Sequence, residues 1–431
     1  MPAKYKETEI GLIPEDWEIF ILSDIINVNP KRTVKRGDKV KFVSMPNLKE
    51  FNKKIQNFEY KTYSGGSRFK NGDTIVARIT PSLENGKTAY VDFLEDNEIA
   101  AGSTEFIVLS PKKELTTSQF TYYISISPII RKKLIKSMTG TSGRQRVEND
   151  VFNHIYIQLP SINEQKRITN FLSAIDQKIE LNHQMNQTLE ALGQAIFRHW
   201  FIDFEFPDEN GQPYKSGGGE MVDSELGKIP QGWEIEEIGK SIETTGGGTP
   251  STKKEEYWKN GNIKWFVPRD ITSNNQMFIL ESEKSINELG LNKSSAKLFP
   301  PYSLMMTSRA TVGELSINTK EACTNQGFIT CIPNEKLSTF YLYYWIKMNK
   351  EYIISLASGS TFKEINKSTF RSLKIIIPKS NIMKSFNFLL EPLFCQIQTL
   401  HLQNENLSQI RNSLLPKLMS GKIRVPLEDE K

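Results

Sequence analysis

The residues of this chain that could do chemistry are cations and amides placed between short apolar runs. Arg78 and Lys87 flank a turn between two predicted strands, and Arg144, Gln145 and Arg146 are consecutive in GTSGRQRV. Further along, Arg269 follows WFVP, Arg309 lies in TSRATVG, and Lys363 comes directly after SGSTF. Arg and Lys donate to guanine and to phosphate, and Asn and Gln pair with adenine, when loops present them from a rigid sheet. Phosphate contact is the first expectation for each, because most protein–DNA hydrogen bonds go to the backbone. A solvated charge or an internal ion pair is the structural alternative.

Catalytic constellations are absent from the sequence. No Asn-Pro-Pro or Asp-Pro-Pro precedes an aromatic residue, as adenine methylation would require. Gly86-Lys87-Thr88 lacks the glycine that a phosphate-binding loop needs five positions earlier, where Pro81 stands, and the glycine triplets at 217–219 and 246–248 read as turns. There is no zinc-protease helix motif and no nucleophile elbow. Three cysteines (Cys323, Cys331, Cys395) show no metal-ligand spacing and read as small core residues, and the four histidines are scattered. We expect no catalytic residues, no metal and no cofactor in this chain.

Net charge is +5 over 431 residues, but its distribution is uneven. Residues 31–146 hold 22 Lys or Arg against 11 Asp or Glu, and residues 243–377 hold 17 against 12, while segments 1–30 and 207–242 are acidic. Such local surpluses suit phosphate contacts and steering toward nucleic acid. No apolar run is long enough to cross a membrane, and the first residues, MPAKYKETEIG, lack a signal-peptide core, so a soluble cytoplasmic protein without a membrane partner is expected.

The elements that must position these residues occur twice. GLIPEDW at 11–17 returns as GKIPQGW at 227–233, and further matches follow in order: Phe106 with Phe328, Pro111 with Pro333, Tyr123 with Tyr344, Gly140 with Gly359, Pro160 with Pro378. A repeat of roughly 215 residues is a duplicated domain with its connector, not a solenoid unit. Each copy contains strand-like runs (KFVSM, DTIVARI, TAYVDFL and EFIVLS; then IKWFV, YSLMMTS, GELSI and FITCI) and one helical stretch, Phe120–Ile135 or Phe340–Leu356. Trp17, Trp233, Tyr123 and Tyr344 read as core anchors.

Each copy is followed by an apolar stripe of helical period. The first reads Ile168, Leu172, Ile175, Ile179, Asn182, Asn186, Leu189, Gly193, Ile196, and the second Phe386, Leu390, Leu393, Ile397, Leu400, Asn404, Leu407, Arg411, Leu414. Every member of the second is 218 positions after its counterpart in the first, so both stripes are heptad seams kept in phase. The simplest cover for one stripe is the other, with Asn186 and Asn404 either setting register or lying at solvated ends. The turn-rich segment between them lets the chain reverse, which favours antiparallel helices.

Two modules, each opened by Gly-x-Ile-Pro-x-x-Trp and closed by a long heptad helix, resemble the specificity subunits of type I restriction-modification systems. LPSINEQKRITNFLSAIDQKIELN, FPDENGQPYKSGGGEMVDSELGKIP and LLPKLMSGKIRVP add to the resemblance, which covers nearly the whole chain. It implies a non-catalytic subunit whose two target recognition domains read a split DNA site, with helices as spacer and docking surface for methyltransferase subunits. Departures exist: Ser103-Thr104-Glu105 stands where the second module has Thr324-Asn325-Gln326, and KSNIMKSF lacks the Asn-Glu-Gln pattern of Asn163–Gln165. Unlike modules imply unlike half-sites and an asymmetric target.

The expected architecture is α+β: two tandem mixed α/β target recognition domains joined by two long antiparallel coiled-coil helices in a pseudo-two-fold arrangement. The expected boundaries are 1–160 for the first domain, 161–206 for the first helical spacer, 207–226 for a connector, 227–378 for the second domain, and 379–431 for the second spacer and tail. Partners implied by the resemblance are double-stranded DNA, two methyltransferase subunits carrying S-adenosylmethionine, and restriction subunits in a cleaving complex. The alternative is a protein–protein scaffold that displays two β-rich modules without touching DNA.

Overall fold

The computed structural model describes residues 4–141, 143–274, 276–359 and 362–425. Ser142, Ser360 and Thr361 of the two glycine turns and Pro426 of LLPKLMSGKIRVP lie outside these residues. The chain forms two compact units, Met1–Glu180 with Glu405–Lys431, and Leu181–Asn404.

In the first unit, the β-branched run Thr74–Ala77 is buried on both faces and sits between Phe106–Pro111 and Thr88–Tyr90 in an antiparallel sheet that Ile26–Val28 completes. A second sheet has the order Glu59–Thr62, Lys39–Val43, Ala100–Gly102, Ser67–Phe69, with one parallel pairing. The second unit repeats the plan with five strands (Glu243–Gly246, Phe328–Ile332, Leu304–Thr307, Leu315–Asn318, Phe278–Ile279) and three (Lys284–Ile286, Ile263–Phe266, Ala322–Thr324). The registers correspond: Phe106 opposes Ala77, and Phe328 opposes Thr307. Each of the eight expected apolar runs supplies one of these strands; the other eight, among them Ile26–Val28, Ala100–Gly102 and Ala322–Thr324, are too short or too polar to show as apolar runs. The expected single helices are each two. Pro128 starts a new helix, Pro128–Lys136, after Ser118–Ile126, since its ring cannot continue the earlier hydrogen bonding; Asn349 breaks Thr339–Met348 from Lys350–Ser355.

Each module returns to its starting point. Glu18–Ile21 pairs antiparallel with Tyr156–Leu159, and Glu234–Glu237 with Lys374–Ile377. A long helix begins just after each returning strand, Ile162–Phe201 and Ser380–Met419, 40 residues apiece. The hairpin Tyr5–Thr8 with Gly11–Pro14 has its twin in Met221–Ser224 with Gly227–Pro230, so the repeat begins inside the connector segment.

Within each unit the two helices run antiparallel. In the first, Asp176 pairs with Arg411 at 2.8 Å and Glu164 with Arg424, so rising numbers on one helix meet falling numbers on the other. In the second, the Asn182 amide donates to the Asn404 carbonyl at 2.9 Å, and the rings of Phe197 and Trp200 lie 6.2 and 5.8 Å from that of Phe386. Of the seam residues, Ile168, Leu172, Asn186, Phe386, Leu390, Ile397, Leu400 and Asn404 are buried; Ile175, Ile179, Leu189, Ile196, Leu393, Leu407 and Leu414 are half-buried. Asn186 and Asn404 are therefore inside the seam rather than at wet ends. Asp176, Phe197 and Trp200 are buried where the stripe drifts off a strict heptad, as a straight helix of period 3.6 must.

The Asn-Glu-Gln opening of the first helix has a physical role. Trp17, fully buried, donates its indole N–H to Glu164 at 3.0 Å, and Arg424 bridges Glu164 to Asp16 with its guanidinium over the indole ring. That guanidinium holds the Asp16 carboxyl below its usual range. Gln165 binds the backbone of Leu115, Thr117 and Pro160. The second unit lacks all of these groups: Trp233 stacks on Phe206 at 5.0 Å, and Met383 stands where Gln165 stands in the first. The departure of KSNIMKSF is thus an exchange of a polar clasp for an apolar one. Tyr123 and Tyr344 are fully buried, as are Cys323 and Cys331; Cys395 is exposed, contrary to its expected core position, because it falls on the outer face of the second helix.

The same exchange recurs further along the seam. In the first unit the Tyr123 hydroxyl donates to Asp176 at 2.6 Å, Arg411 donates to its other oxygen, and Lys53 reaches Ser173 at 3.1 Å. In the second unit the positions of Asp176 and Arg411 are held by Phe394 and Gly193, with the Tyr344 ring 5.9 Å from Phe394. Asp176→Ala leaves a buried guanidinium uncompensated and should lower unfolding free energy by about 3–5 kcal/mol. Denaturant titration of Asp176→Ala, Arg411→Leu and the double variant is expected to show the double losing less than the two singles combined; strict additivity would show the pair to be uncoupled. His401 gives a pH prediction. Burial, with His183 nearby, pushes its imidazole down to about 4, so the unfolded chain takes up a proton first as pH falls below about 6.5. The resulting stability is present above pH 6.5 and lost toward pH 4. Wild type should lose on the order of 2 kcal/mol more than His401→Leu between pH 7 and 5, read from denaturant midpoints.

Candidate nucleic-acid interface

The sheet determines where the candidate side chains gather. Thr74–Ala77 ends at Arg78, and the loop after Gly140 returns alongside it: Ile79 and Thr139 both bridge to Arg146, and the Thr80 amide donates to the Gln145 carbonyl at 3.0 Å. Leu304–Thr307 ends in the same way. Arg309 and Ser358 both bridge to Glu364, and the Ala310 amide donates to the Lys363 carbonyl at 2.9 Å. Gly140 and Gly359, at φ +125° and +122°, make the turn that starts each returning loop, a conformation closed to most L-residues. Residues 65 to 67 positions apart in the first module and 53 to 55 in the second thus share one end of each module.

Within each cluster the cations divide into two kinds. In the first module Arg78 is largely covered, donating to the Val147 carbonyl and lying 3.3 Å from Glu148. Arg146 makes a two-pronged ion pair with Glu105 at 2.7–3.0 Å, which holds the Glu105 carboxyl below its ordinary range. Lys87 donates to the Met45 carbonyl at 3.2 Å, and burial lowers its ammonium pKa. Arg144 is exposed, Gln145 is half-buried, and among the described residues Arg144 has no polar side-chain partner. In the second module Arg269 and Lys363 are likewise exposed and unpaired, while Arg309 lies 3.7 Å from Glu364, both about half exposed. The charge surplus read from sequence therefore overstates the free cations.

Two groups escaped the list of candidates. Asn325 and Gln326 line a recess beside Arg309, with Phe362, exposed to 60%, across from them. Phe51 is also half exposed, over Gly86 and against the Arg131 guanidinium at 4.8 Å. Single aromatics in loops carry no periodic signal; only the Thr-Asn-Gln resemblance pointed to the recess.

Among the described residues there is no group of His, Cys, Asp and Glu able to hold a metal, and no helix long and apolar enough to cross a membrane. Both long helices carry exposed apolar residues at equivalent positions: Phe171 and Leu389, and Leu192 and Ile410, with Phe388 81% exposed.

Comparison with known proteins agrees with this architecture. The family model described as type I restriction modification DNA specificity domain matches residues 14–191 and again 230–408. A type I restriction enzyme specificity subunit of Haemophilus influenzae is 27% identical over 95% of this chain and all of its own length. One from Methanocaldococcus jannaschii is 27% identical over 98% and 97%. The crystal structure of a type I restriction-modification S subunit from M. genitalium superposes with a TM-score of 0.51 at 16% identity, covering 97% of this chain and 99% of the other, a likeness of fold.

Exposed and engaged cations should behave differently when removed. Arg144→Ala and Arg269→Ala are expected to weaken binding to duplexes of any sequence and to lower the salt slope by about one each, with thermal midpoints unchanged. Arg78→Ala should instead lower the thermal midpoint, since it unties the returning strand at Val147. Fluorescence anisotropy over a salt series, with parallel melting curves, separates the two effects.

Proposed function

This chain belongs to the type I restriction-modification DNA specificity family, and from that premise we propose that it reads a bipartite, asymmetric DNA target, one half with each module. As a specificity subunit it is non-catalytic; methylation and cleavage belong to other subunits. The observation that carries the reading is the paired clustering: in both modules a glycine turn brings a returning loop, with Arg144–Arg146 or Lys363, to the end of the strand that bears Arg78 or leads to Arg309. Sheet-mounted loops of this kind are where base and phosphate contacts are made. Different residues at equivalent places support unlike half-sites.

The helices would then serve as spacer and docking surface. Each is 40 residues long, ~60 Å at 1.5 Å per residue. Each unit exposes an apolar residue of each helix at repeat-related positions, Phe171 and Ile410 in one and Leu389 and Leu192 in the other. Equivalent exposed residues in the two units suit two copies of a methyltransferase subunit, which would bring its own S-adenosylmethionine. Domain boundaries at 1–160 and 227–378, with spacers at 161–206 and 379–431, fit this division of labour, except that the opening hairpin moves the start of the second domain back to Met221.

The experiment is a change of ruler. One extra heptad in each helix lengthens the pair by ~10 Å, about three base pairs at ~3.4 Å each. Mapping modified bases genome-wide should then show both half-sites retained and the spacer lengthened by about three; an unchanged spacer would exclude the helices as ruler. A protein scaffold without DNA contact would leave the methylation map independent of this chain.

A further inference from the structure

The two modules differ at one structurally equivalent place. Aligning Phe106 with Phe328 and the bridges of Arg146 with those of Glu364 puts Glu105 opposite Gly327, Arg146 opposite Glu364 and Ile79 opposite Arg309. In the first module this place is filled: Arg146 folds over Glu105 in a two-pronged ion pair. In the second, Gly327 has no side chain to fill it, and a recess of about 350 Å³ opens between Arg309, Asn325, Gly327, Pro268 and Phe362.

The recess has donors at its rim and apolar walls. The Asn325 carbonyl oxygen accepts from the Gly327 backbone N–H at 2.9 Å. That contact fixes the amide orientation, so its NH₂ group is the part left to a ligand. Arg309 offers only donors, and Glu364, 3.7 Å from its Nε, holds the guanidinium while leaving the terminal nitrogens free. Gln326 also lines the recess, but its carbonyl oxygen already accepts from the Thr249 hydroxyl at 2.7 Å; the donors of Arg309 and Asn325 therefore suit guanine's two acceptors, N7 and O6, better than adenine, whose N6 amino group needs an acceptor. Phe362 and Pro268 give the recess apolar walls, which suit the flat face of a base better than a fully hydrated phosphate.

We propose that this recess is the base-reading site of the second module, taking the N7/O6 edge of a guanine on Arg309 and the Asn325 amide. The first module has no counterpart, because Arg146 and Glu105 occupy the equivalent space. The inference rests on the DNA-recognition reading above and assigns Arg309 as a specificity-determining residue. Its equivalent in the first module, Ile79, carries no charge.

The test uses the full chain with its co-expressed methyltransferase subunits. Genome-wide mapping of modified bases first defines the wild-type target; a map independent of this chain would defeat the functional reading itself, before the recess is in question. Given a target, duplexes are made with 7-deazaguanine, which lacks the N7 acceptor, at each guanine in turn. One guanine in one half-site should weaken wild-type binding about fivefold to tenfold, the effect of losing the N7 half of a bidentate base contact. In Arg309→Ala and Arg309→Lys that same replacement should cost less than twofold, and the methylation map should relax at that one position. Arg309 is half exposed, so loss of fold is not at issue, and an unchanged thermal midpoint checks this. If no guanine shows the dependence, or if it persists in Arg309→Ala, the proposal fails. It fails equally if Arg309→Ala weakens all sequences alike with a shallower salt slope, which would make Arg309 a phosphate contact.

Discussion

A forty-residue helix with an apolar stripe cannot stand alone in water, and this chain has two, each needing the other as cover. Burying both stripes commits the chain to an antiparallel pair within each unit. It also commits each module to finishing where a long helix begins, which the pairing of its first and last strands achieves. Trp17 and Trp233 mark the junctions: each is sealed by residues that arrive on the far side of a long helix, Arg424 for one and Phe206 for the other. A module without the other half's helix would leave its tryptophan and part of its core exposed.

The repeat preserves geometry while exchanging chemistry. Glu164, Gln165, Asp176 and Arg411 make the first unit's joints with charges and amides; Met383, Phe394 and Gly193 make the second's with apolar packing. Both solutions hold the same backbone, because a buried ion pair with its full complement of hydrogen bonds and a packed aromatic cluster can fill one volume at similar net cost. The unlike pairing also has a consequence for partner choice within the seam. Were the first helix to meet a copy of itself, Asp176 would face a glycine instead of Arg411 and lie buried without a counter-charge.

The reading surface follows a similar logic. Cations close to the strand ends are drawn into internal work, Arg78 holding the returning strand and Arg146 bound to Glu105. Arg144, two residues before Arg146 on the returning loop, is exposed and has no polar side-chain partner among the described residues. Two differences, Glu105 against Gly327 and Arg146 against Glu364, decide whether that end of the module is filled by an ion pair or left open. Specificity in such a scaffold can therefore diverge without any change to the sheets that support it.

Sequence alone determined the duplication, the longer strands, the two long helices and their seams, because periodic burial writes itself into residue spacing. It also identified the family, through motifs that recur in order along the whole chain. It misplaced Cys395, whose helix face could not be assigned without the seam's drift, merged each module's two short helices into one, and began the second repeat a few residues late. Sequence could not separate free cations from engaged ones, or find the recess, since both depend on which residues 40 to 70 positions apart are brought within hydrogen-bonding distance. That information resides in strand pairing and loop return, which are long-range and have no local spacing to read; only the tertiary structure decided it.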